Sequence, residues 1–143
     1  MAVRKAEAVW QGDLRGGRGT MALGSGAFEG QYSFSSRFEE GAGTNPEELI
    51  GAAHAGCFAM AFSNELAKAG FTPERVHAVA NVHFGIVDGA PKIIRIDLKC
   101  DASVPGIGEA QFQQLAEGAK TNCPVSRALA ATEITLDAKL VQA

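Results

Sequence analysis

A long run of small and apolar residues, 49–69, is the strongest constraint that this sequence places on its fold. Alanine, glycine, phenylalanine and methionine dominate the run and occupy nearly every face of a helix, which is typical of a buried central helix. Gly70 and Pro73 end it in the usual way. The nearly uncharged part, residues 49–62, is shorter than the roughly 18 residues that a membrane span needs.

The start of this helix is also marked. Asn45 is a good N-cap, Pro46 suits the first helical position, and Glu48 completes a capping box. Thr44 with Glu47 offers the same box one residue earlier, so two registers remain open.

Alternating apolar and polar residues predict strands around the helix. Before it, strands are expected over residues 3–11, 20–23 and 32–38, with Arg37 off the aromatic face of the last. After it, a hairpin turns at residues 88–91, and a final strand covers residues 134–140. Two further helices are predicted, over residues 109–120 and 124–131. No regular βαβ alternation is present, so the fold class is α+β with mainly antiparallel strands.

The length and the net charge of the chain exclude some classes of function. The 143 residues suit a single domain, 1–143, and the net charge of −3 gives no basic surface for nucleic acid. The N-terminus lacks the apolar core of a signal peptide, so we expect a cytoplasmic protein that interacts with neither membrane nor nucleic acid. Free thiols persist in that reducing compartment.

Three cysteines cannot close a disulfide framework by themselves. Cys100 shares the apolar face of its strand, which favours a packing role. Cys57 lies in the apolar helix, where packing alone would explain it. Cys123 precedes Pro124, and a thiolate at such an N-cap accepts orphan N–H groups, although a helix-start cysteine without chemistry is an equal alternative. The sequence alone does not show whether Cys57 and Cys123 meet.

Several motifs resemble the OsmC (osmotically inducible protein C) family. They are the Arg-Phe-Glu triplet at residues 37–39, the run GTNPEELIGAAHAGCF at residues 43–58, VPGI at 104–107 and NCPVS at 122–126. The resemblance follows the whole chain in order. It implies an OsmC-like fold and an intertwined homodimer in which both chains build each active site.

The resemblance also implies an activity, the reduction of organic hydroperoxides by a thiol-dependent peroxidase without a cofactor or metal. Cys57 would attack the peroxide, and Cys123 would resolve its sulfenic acid into a disulfide. An external reductant, either a lipoyl-type dithiol or a small thiol, would then reduce that disulfide. Arg37 would hold Cys57 as a thiolate, and Glu47 would orient Arg37. Such residue types suit the chemistry, because a thiolate needs a cation and a second thiol protects against overoxidation.

Helix geometry raises one objection. Glu47 and Cys57 are ten residues apart, about 15 Å along a straight helix. We therefore expect either a break or kink near residues 51–56 or a contribution from the partner chain. Arg15 and Arg18 are minor candidates for a further cation.

Other signals carry less weight. His54, three residues before Cys57, is a possible base or metal ligand, but no Cys-x-x-Cys pair supports a metal site. His77 and His83 fall on the polar side of a strand. The alternative to an enzyme is a redox-responsive or small-molecule-binding thiol protein that uses the same cysteines without turnover.

Overall fold

The structure is a computed structural model that describes residues 1–142. The chain forms two compact units, Met1–Leu49 and Ile50–Ala143.

The first unit contains a small antiparallel sheet. Its strands β1 (Ala6–Gln11), β2 (Arg18–Leu23) and β3 (Glu29–Tyr32) pair in chain order. Gly19 on β2 is buried, and an added Cβ there would lie 2.6 Å from the Trp10 and Tyr32 rings. Only glycine lets the two aromatic rings meet across this strand.

The strand predicted over residues 32–38 is wrong beyond its first residue, because a short helix α1 (Phe34–Phe38) follows β3. Ser33 and Ser36 cap this helix reciprocally: the Ser33 Oγ accepts from the Ser36 N–H at 3.1 Å, and the Ser36 Oγ accepts from the Ser33 N–H at 2.8 Å. Local hydrogen bonds by serine compete with a strand in this way. Arg37 consequently lies in the last turn of a helix.

The long helix α2 (Pro46–Lys68) begins where the capping residues predict. Asn45 Oδ1 accepts from the Glu48 N–H at 2.7 Å, while Thr44 donates its hydroxyl to the Glu48 carboxylate at 2.8 Å. The helix continues without interruption through residues 51–56, so the expected break there is wrong. The remaining possibilities, a kink near residues 51–56 or a contribution from the partner chain, stay predictions.

The second unit holds a three-stranded sheet of β4 (Arg75–Val87), β5 (Ala90–Ser103) and β6 (Glu133–Val141). The β4–β5 hairpin is antiparallel, and its tight turn places Asp88 and Gly89 at φ 53° and 80°. The strand β6 pairs with β5 in parallel. The sheets are therefore mainly antiparallel, with β6 as the exception.

The alternation predicted along β5 fails at Ile94, which is 44% exposed. The register between the two strands shifts after His83, so that His83 faces Arg95 and Phe84 faces Ile93. An extra residue in one strand turns its side chain out of the regular alternation.

Two helices follow the hairpin: α3 (Glu109–Asn122), as predicted, and α4 (Pro124–Ala128), which ends three residues earlier than expected. One face of α2, one face of α3 and the inner face of the sheet share a single core. Its buried members include Phe58, Phe62, Leu66, Ile96, Leu98, Ala102, Phe112, Ala116 and Ala119.

The opposite face of α2 is exposed in a single chain. Ala52, Ala53 and Gly56 lie on it, together with Met60, whose side chain is 78% exposed. Although α2 is apolar on nearly every face, only one face is buried in the single chain, and the other is exposed to solvent.

Candidate functional site

The two cysteines in question meet in the second unit. Cys57 lies on α2, half-buried, and Cys123 is fully buried at the junction where α3 ends and α4 begins. The Cys123 thiol donates to the Cys57 sulfur at 2.8 Å, and both thiols are free. Residues 66 positions apart in the chain thus form a close dithiol.

The surroundings of Cys57 favour its protonated form. Burial is the main cause that raises the pKa of the Cys57 thiol, and the hydrogen bond from Cys123 adds to it. The backbone N–H of Val125 opposes both by donating to the Cys57 sulfur. A thiolate at Cys57 therefore needs additional positive charge.

The N-cap position predicted for Cys123 is confirmed, but of the two alternatives for its side chain, the one in which the sulfur accepts the N–H groups of that helix is wrong. Cys123 is the N-cap residue of α4, but its side chain accepts no hydrogen bond from that helix. The Val125 N–H in the first turn is directed to Cys57 instead. An N–H group at the start of α4 therefore does donate to a sulfur, but this is the sulfur of Cys57 on α2.

Cys100 has the packing role that its position on the strand predicts. It is 4% exposed, among the core residues of β5. Burial, with a smaller effect of the neighbouring Asp101 charge, raises the pKa of its thiol to about 12. Such a thiol is inert at neutral pH.

Arg37 and Glu47 form an ion pair in the first unit. The guanidinium donates from Nε and Nη2 to the two carboxylate oxygens at 3.0 and 2.9 Å. The Glu47 side chain is 8% exposed and that of Arg37 is 35% exposed. Bidentate pairing to a buried carboxylate fixes the orientation of a guanidinium more strongly than a single contact does.

An aromatic cavity of about 230 Å³ lies beside Arg37, within the first unit. It is lined by Trp10, Leu14, Tyr32, Ser33, Phe34, Arg37 and Phe38. Arg15 lies over the Phe34 ring, 4.5 Å from its centroid, whereas Arg18 opens β2 opposite Gln11. The cavity therefore combines apolar walls with a fixed cation.

One polar contact near the thiols was not anticipated. His54 is fully buried, and its Nε2 lies 2.7 Å from the Ser126 hydroxyl. The sequence does carry a signal for it, since His54 precedes Cys57 by three residues and Ser126 follows Cys123 by three. Among residues 1–142, no group of three or more His, Cys, Asp or Glu side chains is arranged to hold a metal ion.

The outer face of the sheet formed by β4, β5 and β6 carries a separate network of charged side chains. Asp97 accepts hydrogen bonds from Thr135 at 2.6 Å and from Arg95 at 3.1 Å, and His83 Nε2 lies 2.8 Å from it. The Thr135 hydroxyl, followed by His83 and Arg95, lowers the pKa of Asp97 to about 2. This network ties three strands together through one carboxylate.

Comparison with known proteins identifies the family. The family model described as "OsmC-like protein" matches residues 39–139, and the chain belongs to this family. The chain is 49% identical over 138 residues to the peroxiredoxin OsmC of Escherichia coli (strain K12), covering 96% of each chain. It is 35% identical over 89 residues to the organic hydroperoxide resistance protein of Xanthomonas axonopodis pv. citri, covering 62% of this chain and 61% of that protein.

Solved structures confirm the α+β fold. The OsmC-like protein VCA0330 of Vibrio cholerae superimposes with a TM-score of 0.76 at 20% identity, covering 96% of this chain and 99% of that one. An organic hydroperoxide resistance protein OsmC of Legionella pneumophila gives 0.73 at 20% identity, covering 97% and 99%. None of the helices in the described part of the chain is long and apolar enough to cross a membrane.

The burial of the three thiols predicts unequal reactivity. Native protein treated with iodoacetamide at pH 8 should be modified at Cys57, the only half-buried thiol of the three, and should leave Cys100 and Cys123 intact. Peptide mass spectrometry after a short exposure measures this. The same treatment in guanidinium should label all three cysteines, and modification of native Cys100 at the rate of Cys57 would contradict the placement.

Proposed function

We propose that the chain is a peroxidase that uses Cys57 and Cys123 to reduce organic hydroperoxides to alcohols. The observation that carries the proposal is the 2.8 Å contact between the two free sulfurs. The names of the relatives, peroxiredoxin OsmC and organic hydroperoxide resistance protein, support the same type of activity.

The reaction needs three steps. The Cys57 thiolate attacks one oxygen of the peroxide, so that an S–O bond forms, the O–O bond breaks, and the departing alkoxide takes a proton to become the alcohol. The Cys123 sulfur then displaces hydroxide from the sulfenic acid, giving the Cys57–Cys123 disulfide and water. An external dithiol reduces this disulfide by exchange and is itself oxidised.

The first step needs Cys57 as a thiolate, although burial raises its pKa. We assign the role of stabilising cation to Arg37, whose orientation Glu47 sets. The Arg37 that acts on a given Cys57 would belong to the second chain of a homodimer. The positive charge of a guanidinium beside the sulfur would favour the thiolate. The uninterrupted course of α2 supports a partner's contribution, because it removes the break that a site within one chain was expected to need.

The exposed face of α2 supports the homodimer. Ala52, Ala53, Gly56 and Met60 form an uncharged surface, and a Cβ added at Gly56 would meet nothing within 4 Å. Small residues let a second helix approach closely, and a methionine 78% exposed in the single chain gains from burial. A second copy of this face would cover it.

The aromatic cavity beside Arg37 supports an organic substrate. Its walls would receive an apolar group, while hydrogen peroxide would gain nothing from them. The reductant is assigned only by class, as a dithiol able to exchange with a protein disulfide.

Activity is tested with cumene hydroperoxide and excess dihydrolipoate. Wild type should turn over many times, while Cys57→Ser should fall to the uncatalysed background because the attacking thiolate is absent. Cys123→Ser should release about one alcohol per chain quickly and then turn over more slowly than wild type, because dihydrolipoate itself must reach and reduce the sulfenic acid. The matched control Cys100→Ala should keep the wild-type rate. Wild-type consumption that ends at one equivalent per chain would favour a redox-responsive protein instead.

The homodimer is tested by placing a charge on the exposed face of α2. Met60→Lys should weaken association at least about tenfold, because a buried methionine is lost and a charge must be desolvated. Sedimentation equilibrium measures the dissociation constant, and peroxidase activity should fall together with the dimer fraction. Ile86→Lys, at a position 63% exposed on β4, is the control and should leave association unchanged. A wild-type chain that stays monomeric at all concentrations would refute the assignment.

A further inference from the structure

The buried His54–Ser126 contact has no part in the peroxide chemistry described above. The imidazole is fully buried, its Nε2 lies 2.7 Å from the Ser126 Oγ, and Ser126 is 5% exposed. The other ring nitrogen, Nδ1, is buried and has no hydrogen-bond partner among residues 1–142. Hydrogen bonding therefore holds this ring through Nε2 alone, and the unsatisfied Nδ1 carries a desolvation cost.

The position of the contact suggests what it contributes. His54 and Cys57 are one turn apart on α2, about 4.5 Å along the helix axis. Cys123 and Ser126 are likewise three residues apart, at the junction and in the body of α4. The two polar bridges, Cys57–Cys123 and His54–Ser126, therefore join the same two segments side by side.

The junction that carries Cys123 needs such support. Cys123 ends α3 and starts α4 with non-helical backbone angles, φ −56° and ψ 124°, so the direction of α4 is not set by a continuous helix. The α4 segment is only five residues long. The hydrogen bond between His54 of α2 and Ser126 restrains the segment beyond the junction, and this in turn restrains Cys123.

The two bridges also differ in how they respond to oxidation. The contact between the sulfurs changes whenever Cys57 is oxidised, because its acceptor sulfur becomes a sulfenic acid and then half of a disulfide. The His54–Ser126 bond involves no sulfur, so oxidation of Cys57 alters neither of its two atoms. Burial also lowers the pKa of His54, which favours the neutral imidazole.

We propose that the His54–Ser126 hydrogen bond is a positioning couple that holds the Cys123 junction against Cys57 and so favours closure of their disulfide. This inference rests on the proposed function, because it assumes that the two thiols form a disulfide during turnover. His54 is then a positioning residue, and neither a base nor a metal ligand.

The test is the redox equilibrium of the pair in glutathione buffer, in which protein dithiol and oxidised glutathione give protein disulfide and two reduced glutathiones. All proteins carry Cys100→Ala, so that acid quenching, alkylation and mass spectrometry report on Cys57 and Cys123 alone. Without the hydrogen bond the junction can relax away from Cys57 in the dithiol form, whereas the disulfide still holds it in place. Ser126→Ala should therefore lower the equilibrium constant about three- to tenfold, with the net free energy of one buried hydrogen bond as the upper limit. Ser126→Thr, which keeps the hydroxyl, should restore it.

Two further variants separate positioning from folding. The double variant His54→Leu/Ser126→Ala replaces both partners by apolar groups, so no buried polar atom is orphaned and the fold is retained. It should show the same loss of disulfide stability as Ser126→Ala. Thr135→Val removes a hydroxyl hydrogen bond of the same unit, on the outer face of the sheet, and should leave the equilibrium constant unchanged.

An equilibrium constant for the double variant within about twofold of wild type would overturn the positioning role while leaving the peroxidase proposal intact. A wild-type protein that forms no Cys57–Cys123 disulfide under any glutathione ratio would overturn both.

Discussion

The inward face of α2 determines the direction in which Cys57 and His54 point. Phe58, Phe62 and Leu66 are fully buried, and Phe62 meets Phe112 of α3 with ring centroids 5.3 Å apart. A close-packed core of this kind leaves a helix no freedom to rotate. Since α2 is fixed about its axis, His54 and Cys57 are directed to the α3–α4 junction and Met60 is directed outward.

Cys57 is consequently held in a position that both helps and hinders its proposed chemistry. Burial brings it to Cys123 and limits access of water, yet the same burial stabilises the neutral thiol. The Val125 N–H offsets a part of this effect. Under the proposed function, a partner chain would cover the exposed face of α2 and would supply Arg37.

Local signals in the sequence predicted much of the fold. The capping residues Asn45 and Pro46 located the start of α2, the turn at Asp88 and Gly89 located the hairpin, and parity assigned Cys100 to the core. The errors arose where a local interaction overrode the hydrophobic pattern. The alternation of aromatic residues favoured a strand through Arg37, whereas the Ser33–Ser36 capping box forms a helix there.

The site was predictable only in its components. Spacing placed His54 beside Cys57 and Ser126 beside Cys123, but the approach of residues 66 or 72 positions apart depends on the packing of three helices on a sheet. The resemblance to the OsmC family paired the cysteines, and the structure then supplied the His54–Ser126 contact and the redirected Val125 N–H. Neither follows from periodicity, because each joins two helices whose relative orientation is a tertiary property.

The most direct measurement for this account is a single turnover without reductant. Fully reduced protein is mixed with one equivalent of cumene hydroperoxide, quenched in acid, alkylated and mapped by mass spectrometry. We expect one cumyl alcohol and one Cys57–Cys123 disulfide per chain, with Cys100 still a thiol. Peroxide left unconsumed, or alcohol formed while both Cys57 and Cys123 remain alkylatable, would contradict it.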